Sequence, residues 1–237
     1  MKKRSCIYTL FILGIGVIFI SGYRQIDSNA TVTDYDGNVY HTVTIGTQTW
    51  MKENLKNTHY RNGEPIVYAP DDTKWFNLCA GATEIQSGAF CNYDNDANNA
   101  TMYGRLYNGN AVKDSRNICP VGWHIPTTAE WKALESYLGG AIVAGGKMKE
   151  ASKTHWISPN IGADNTSGFS GVPGGFRFRR GEFGSIGFSC YLWSSGWTRL
   201  DGTEAGWFRL VSYSSQSINH NDYSEASGFS IRCIKDN

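Results

Sequence analysis

Hydrophobic and polar positions alternate early in the chain. Thr31-Val-Thr33 leads into the turn text Asp34-Tyr-Asp-Gly37, then a β-branched alternating run from Val39 to Ile45. Gly46-Thr47 turns the chain and Gln48-Thr-Trp-Met51 returns it. A period of two broken by turn residues predicts a β-meander over residues 31–55. The period changes after Cys119-Pro-Val-Gly-Trp-His-Ile-Pro-Thr-Thr-Ala-Glu-Trp131. Trp131, Leu134, Tyr137 and Leu138 recur at helical spacing, Thr127 and Glu130 form a capping-box pair, and Gly139-Gly140 stops the run. This predicts a helix over 128–138. A second short helix is expected over 141–150, weakened by Gly145-Gly146. Residues 56–100, with Pro65, Pro70, Gly81 and Gly88, read as irregular. From Phe169 to Arg232 short strand-like runs alternate with glycine turns. The pattern predicts one α+β domain over residues 31–237, built of short antiparallel strands and loops with one or two helices.

The first thirty residues belong to a different pattern. Lys2, Lys3 and Arg4 precede an uncharged apolar run from Cys6 to Ile20, then Ser21-Gly22. This is the order of a secretory signal, with cleavage after Gly22 or after Ala30. The run is short for a span, which needs roughly 18 to 20 residues; uncleaved, it would serve as an N-terminal membrane anchor. Cys6 lies before the run, so no lipid anchor is expected. Membrane contact is expected only through this segment, and the protein is expected to be exported, to the cell envelope or beyond.

Composition narrows the class. Aromatic residues make up 14% and charged residues only 18%, with 27 glycines. This suits a loop-rich fold with an aromatic core better than a helical bundle or a disordered chain. Removing residues 1–30 takes the formal charge from +1 to about −2, which leaves no basic footprint for nucleic acid. Arg177, Arg179 and Arg180, beside Glu182, read as a solvated strand or turn. Export permits disulfides. Beyond the signal stand Cys79, Cys91, Cys119, Cys190 and Cys233, an odd number that leaves at least one thiol without an intrachain partner. Cys79 and Cys91 flank a loop that a local disulfide can staple, contributing about 3 kcal/mol in the chain-entropy account. The chain has no Cys-x-x-Cys and its histidines are scattered, so zinc is not expected.

Candidate chemistry is sparse. Asp94, Asn95 and Asp96, with Asn98 and Asn99, can offer oxygen ligands to Ca²⁺. They lack the glycine and terminal glutamate of an EF-hand loop and read first as an Asx-rich turn, so no cofactor is expected. His124 near Cys119 suggests a Cys–His dyad, but a disulfide there would remove the thiolate. No catalytic residue is assigned. Trp50, Trp123, Trp131, Trp193 and Trp207 are expected in the core. Trp75, Trp156 and Trp197 stand in turn-like text and are the expected ligand-binding aromatics. The polar hairpins of residues 196–227 are where such a scaffold would carry binding.

Several segments together resemble the Fibrobacter succinogenes major paralogous domain, found in envelope and secreted proteins of Bacteroidetes and Fibrobacteres. They are Asp36-Gly-Asn-Val-Tyr40, Ile45-Gly-Thr-Gln-Thr-Trp-Met-Lys-Glu-Asn-Leu55, Tyr103-Gly-Arg-Leu-Tyr-Asn108 and Cys119 to Trp131. Gly168 to Arg177, Leu192-Trp-Ser-Ser195 and Gly228 to Asp236 complete the ordered set. The pattern is similar, more distantly, to C-type-lectin-like and formylglycine-generating-enzyme-like domains. In lectin-like domains a cysteine before the helix bonds to one in the last strand. The resemblance therefore implies Cys119–Cys233, leaving Cys79–Cys91 as the local pair and Cys190 free. It implies a non-catalytic binding module for an extracellular glycan or protein. The alternatives are an enzyme of the formylglycine-generating class and a structural or assembly component of the cell surface.

Overall fold

The computed structural model describes residues 30–79, 87–200 and 203–237. Apart from Ala30, the expected targeting segment lies outside them. In chain order the elements are β1 (Thr31–Thr33), β2 (Val39–Ile45), β3 (Gln48–Met51), β4 (Val67–Tyr68), α1 (Asp72–Cys79), β5 (Ala89–Cys91) and α2 (Ala97–Tyr103). Then follow β6 (Leu106–Tyr107), α3 (Gly109–Lys113), β7 (Trp123–His124), α4 (Thr128–Tyr137) and α5 (Ala141–Met148). The last strands are β8 (Gly174–Arg177), β9 (Phe183–Ile186), β10 (Ser189–Leu200), β11 (Thr203–Ser212), β12 (Ile218–Ser224) and β13 (Ile234–Lys235). The class is α+β, with more helix than the sequence pattern predicts. Among the described residues no helix is long and apolar enough to cross a membrane.

The predicted meander is β1–β2–β3, and it continues into β13 and β7 as the five-stranded order β1-β2-β3-β13-β7. A second sheet runs β12-β11-β10-β8-β9, and a third, small one runs β4-β5-β6. Most pairings are antiparallel, but β10 pairs β8 and β4 pairs β5 in parallel. The C-terminal segment is laced into the first sheet. Met51 N–H donates to Cys233 O, Leu55 N–H to Ile231 O and Asp236 N–H to Gly122 O. Cys119 and Cys233 form a disulfide there, 114 residues apart in sequence.

The predicted helix is α4, and its start carries the capping box. Thr127 Oγ1 accepts from Glu130 N–H at 3.2 Å, and Thr127 N–H donates to Glu130 Oε2 at 2.8 Å. Its inner face carries Trp131 and Leu134 into a cluster with Trp50, Phe169, Leu192 and Val211. Trp131 lies 4.8 Å from Trp50 and 6.1 Å from Phe169, ring to ring. The glycines that weaken α5 as a helix are required by its packing. A Cβ on Gly145 would stand 2.4 Å from Ser217 O, and one on Gly146 would stand 2.3 Å from Gly162 O. The unpredicted α2 has few good helix formers. Asp96 holds its first turn by accepting from Asn98 N–H at 2.8 Å.

Loops in this fold are buried, so their carbonyls need donors. Buried cations supply them. Lys149, fully buried, donates to Ile161 O, Ser212 O and Ser215 O at 2.8 to 2.9 Å. Arg177, expected to be solvated, is fully buried between Trp75 and Phe183. It donates to Ala69 O, Pro70 O and Gly181 O and pairs with Asp72 at 2.8 Å. This corrects the sequence expectation: the loops around Arg177 have carbonyls that only a long donor can reach. Arg179 and Arg180 are exposed in the adjoining turn.

The expected Cys79–Cys91 staple does not form, because Cys91 is a free thiol. Cys91 faces inward from β5 into a cluster with Ala69, Trp75, Leu106 and Ala226. Burial pushes its thiol up to about 12, against the opposing effect of nearby Arg177. Cys190 is also free and buried, and burial pushes its thiol up to about 11.

Three outcomes follow from this arrangement. Replacing both Cys119 and Cys233 by alanine should lower the free energy of unfolding by about 4 to 5 kcal/mol in the entropic account, read by denaturant titration. In native protein an alkylating reagent should leave Cys91 and Cys190 unmodified, and both should label after unfolding without reductant. Peptide mapping that found Cys79 bonded to Cys91 would contradict this assignment. Burial lowers the Lys149 ammonium to about 8 from its ordinary 10.5. The folded chain therefore loses this proton before the unfolded chain does. The stability of wild type relative to Lys149→Met should rise as pH climbs from about 8 towards 10.5, followed by Tm. A flat or falling difference would show that burial does not penalise this charge.

Candidate binding face

The second sheet has two unlike faces, set by strand alternation. In the β10–β11 pair, Cys190 stands opposite Val211 and Leu192 opposite Arg209, and these four turn towards α4 and α5. Glu135 of α4 receives Arg209 Nε at 2.7 Å, a buried ion pair that docks helix on sheet. The intervening pairs, Tyr191 with Leu210 and Trp193 with Phe208, point the other way. The edge strand β12 adds Asn219 opposite Leu210, Asn221 opposite Phe208 and Tyr223 opposite Gly206.

Part of this second face is open. Trp193, Phe208 and Phe229 are buried beneath α3 and the segment before β13, whereas Tyr191 and Leu210 are half-buried. Asn219 and Asn221 are exposed, Tyr223 is 41% exposed and Phe178 is 37% exposed. Rings run across the sheet. Phe178 lies 4.4 Å from Phe176, Phe176 4.8 Å from Tyr191, and Tyr191 stacks on Phe229 at 5.3 Å. Phe229 lies 6.1 Å from Tyr223. Burial raises the Tyr191 phenol, against the opposing effect of nearby Ser185 and Ser189. The exposed part is thus a row of aromatic and aliphatic surfaces rimmed by two amides and two phenols. Each amide both donates and accepts hydrogen bonds, and a tyrosine offers an apolar ring with a polar tip. None of these side chains is charged near neutral pH. The face can stack and hydrogen-bond a neutral polar ligand.

The residues expected to bind are placed differently. Trp75 is fully buried and donates to Ala226 O at 3.0 Å; Trp156 is 1% exposed and donates to Gly171 O at 3.0 Å. Both are core residues, contrary to expectation, because their turn-like segments are folded inward and need an indole donor for a loop carbonyl. Trp197 is half-buried, with the Lys113 ammonium 5.0 Å from its ring centre. Trp50, Trp123, Trp131 and Trp193 are buried as expected, while Trp207 is half-buried, 5.8 Å from the His220 ring. Asn95 donates to Pro70 O at 2.8 Å, Asp96 caps α2 and Asp94 adopts a left-handed conformation. Among the described residues no group of three or more His, Cys, Asp or Glu could hold a metal.

His124 is held between two carboxylates, with Nε2 2.9 Å from Glu130 Oε1 and Nδ1 2.6 Å from Asp236 Oδ1. It braces the start of α4 against the C-terminal segment. Cys119 has no thiolate to offer it, being in the disulfide. The sequence reading places binding in the hairpins of residues 196–227, which hold Asn219, Asn221 and Tyr223, but does not single out these side chains. The trace of the open face is the alternation Asn219, Asn221, Tyr223 at every second position of β12, whose meaning depends on which side of the sheet is covered.

Residues 43–235, most of the chain, match the family model of the Fibrobacter succinogenes major domain, and the chain belongs to that family. No curated protein and no solved structure gives a significant match.

Proposed function

We propose that this member of the Fibrobacter succinogenes major domain family is an exported, non-catalytic module that binds a neutral extracellular glycan on the open face of its second sheet. One observation carries the reading: Asn219, Asn221 and Tyr223 stand side by side on an edge strand, next to the half-exposed Tyr191 and Leu210. Sugar rings present flat C–H faces and a rim of hydroxyls. Aromatic rings match the first and carboxamides the second.

Export is supported by the basic-then-apolar N-terminus and by the Cys119–Cys233 bond, since disulfides persist in oxidising compartments. The same bond, joining the segment before α4 to the last strand region, supports a distant kinship with C-type-lectin-like domains. The enzyme alternative is weakened by chemistry. A paired-cysteine metal site would draw on Cys190 and Cys233; the first is buried and the second is in the disulfide.

The test is a panel of neutral oligosaccharides presented to the protein, followed by titration of any that bind. Tyr223→Ala and Asn219→Ala should each weaken binding about tenfold, roughly 1.4 kcal/mol; Tm should be unchanged in Asn219→Ala, whose side chain is exposed, and slightly lowered in Tyr223→Ala, whose ring also packs on Phe208 and Phe229. Trp75→Phe, in the core, should leave affinity unaltered while lowering Tm. Binding that ignores Tyr223→Ala and Asn219→Ala would move the site elsewhere. Folded protein that binds no glycan in the panel would favour the structural role at the cell surface.

A further inference from the structure

One edge of the second sheet is β12, and its backbone groups on the outer side are unpaired. Trp193 N–H donates to Ser230 O and Tyr191 O accepts from Ser230 N–H, at 3.0 and 3.1 Å, so these two residues of β10 bond away from β11. By antiparallel alternation their partners Phe208 and Leu210 turn their backbone groups to Asn221 and Asn219 of β12. His220 and Asp222, between and beyond those, therefore point N–H and C=O to the outer side. There Asp222 N–H meets only the side chain of its own neighbour, Asn221 Oδ1, at 2.9 Å. Among the described residues the backbone of residues 219–223 makes no other bond on that side. An unpaired edge is a template for another strand, and folded proteins blunt it by shortening it, bulging it or placing Lys or Pro in it. The other edge strands, β1, β4, β6, β7 and β9, have two to four residues. β12 has seven, holds neither Lys nor Pro, and keeps an unbroken register with β11 from Ile218 to Ser224.

The sequence of β12 fits a second copy of itself. Two such strands set antiparallel with Asn221 opposite Asn221 place His220 of each opposite Asp222 of the other, and Asn219 opposite Tyr223. The His220–Asp222 pairs are then the ones that exchange backbone N–H and C=O bonds. Their side chains complement each other, an imidazole N–H donating to a carboxylate, twice over by symmetry. Both groups have capacity for this. Asp222 Oδ2 accepts from Thr198 Oγ1 at 3.0 Å and Oδ1 accepts nothing among the described residues. The exposed His220 ring lies 5.8 Å from Trp207, with no hydrogen bond to either nitrogen among the described residues. Arg209, opposite His220 on β11, is committed to Glu135. Neighbouring registers lose the match. Centred on Asp222, the pairing sets carboxylate against carboxylate; centred on His220, it sets Asp222 opposite Ile218.

We infer that β12 pairs edge to edge with β12 of a second copy of this chain, about a two-fold axis at Asn221. The axis stands perpendicular to the sheet, because residues directly opposite each other share one face. The interface is isologous and closes at two copies. The two five-stranded sheets join into one, and the open face continues from copy to copy, with Tyr223 of the second copy beside Asn219. The pairing rests on the backbone edge and the His220–Asp222 complement, so it stands whether or not that face binds a glycan.

The test uses the whole protein. Asn221→Cys should link two copies under mild oxidation, with peptide mapping placing the bond between position 221 of one copy and position 221 of the other. That pair is of the non-hydrogen-bonded kind, with Cα atoms about 4.5 Å apart. Asn219→Cys should not link to itself, since this register holds those positions roughly 14 Å apart. In sedimentation equilibrium from about 1 μM to 1 mM, wild type should pass from one copy towards two. His220→Asp sets carboxylate against carboxylate and should weaken that association about tenfold. Adding Asp222→His to it restores both complementary pairs and should return the association to the wild-type value. Wild type that sediments as one copy throughout would overturn the inference. Equal linking of Asn219→Cys and Asn221→Cys would do the same, as would a swapped variant, folded by its Tm, that stays as weak as His220→Asp.

Discussion

The constraint on which this structure depends is the hydrogen-bonding requirement of buried loop carbonyls. Regular strands and helices satisfy their own backbone groups, but much of this chain is neither, and much of it is inside. The solution is a set of long side chains that reach loop carbonyls from within. Lys149 gathers three, Arg177 three, and Arg61 the carbonyls of Cys119, Pro120 and Trp123. Trp75, Trp156 and Trp193 each give an indole N–H to another. Asn57 bridges His59 O and Ile118 O. These donors are also large, so one side chain fills the core and saturates the loop at once.

That constraint determines what remains for function. Most of the tryptophans and several cations are committed to the interior and are poor candidates for ligand contact. What stands outside that commitment becomes informative by contrast. Tyr191, Tyr223 and the β12 asparagines sit on the part of a sheet face that α3 leaves open. The sheet's other face is largely spent, because α4 and α5 dock on it through the Arg209–Glu135 pair and the cluster around Trp131.

How much of this was legible in the chain varies with the range of the signal. The meander is written in a period of two, and α4 in a capping box and a 3.6-residue stripe; each needs only its own neighbours. Helices α1 and α2 lie in text rich in Asp, Asn and turn residues, which lacks a helical stripe, and they form because packing and a cap hold them. The disulfide at Cys119 was legible only through family resemblance, since spacing alone leaves several pairings open. The proposed Cys79–Cys91 pair shows the limit. Proximity in sequence suggested it, but β5 turns Cys91 away into a core cluster.

The sequence by itself determined the meander, α4 and α5, the α+β class and the family, because those depend on spacings and motifs of a few residues. Only the tertiary structure decided which tryptophans are core, which arginines are interior and which face of β10–β12 is open. Burial is not a property of a residue or its neighbours in sequence. It belongs to whatever distant segment comes to cover it, and in a loop-rich fold that segment is chosen by where unpaired carbonyls can find a donor.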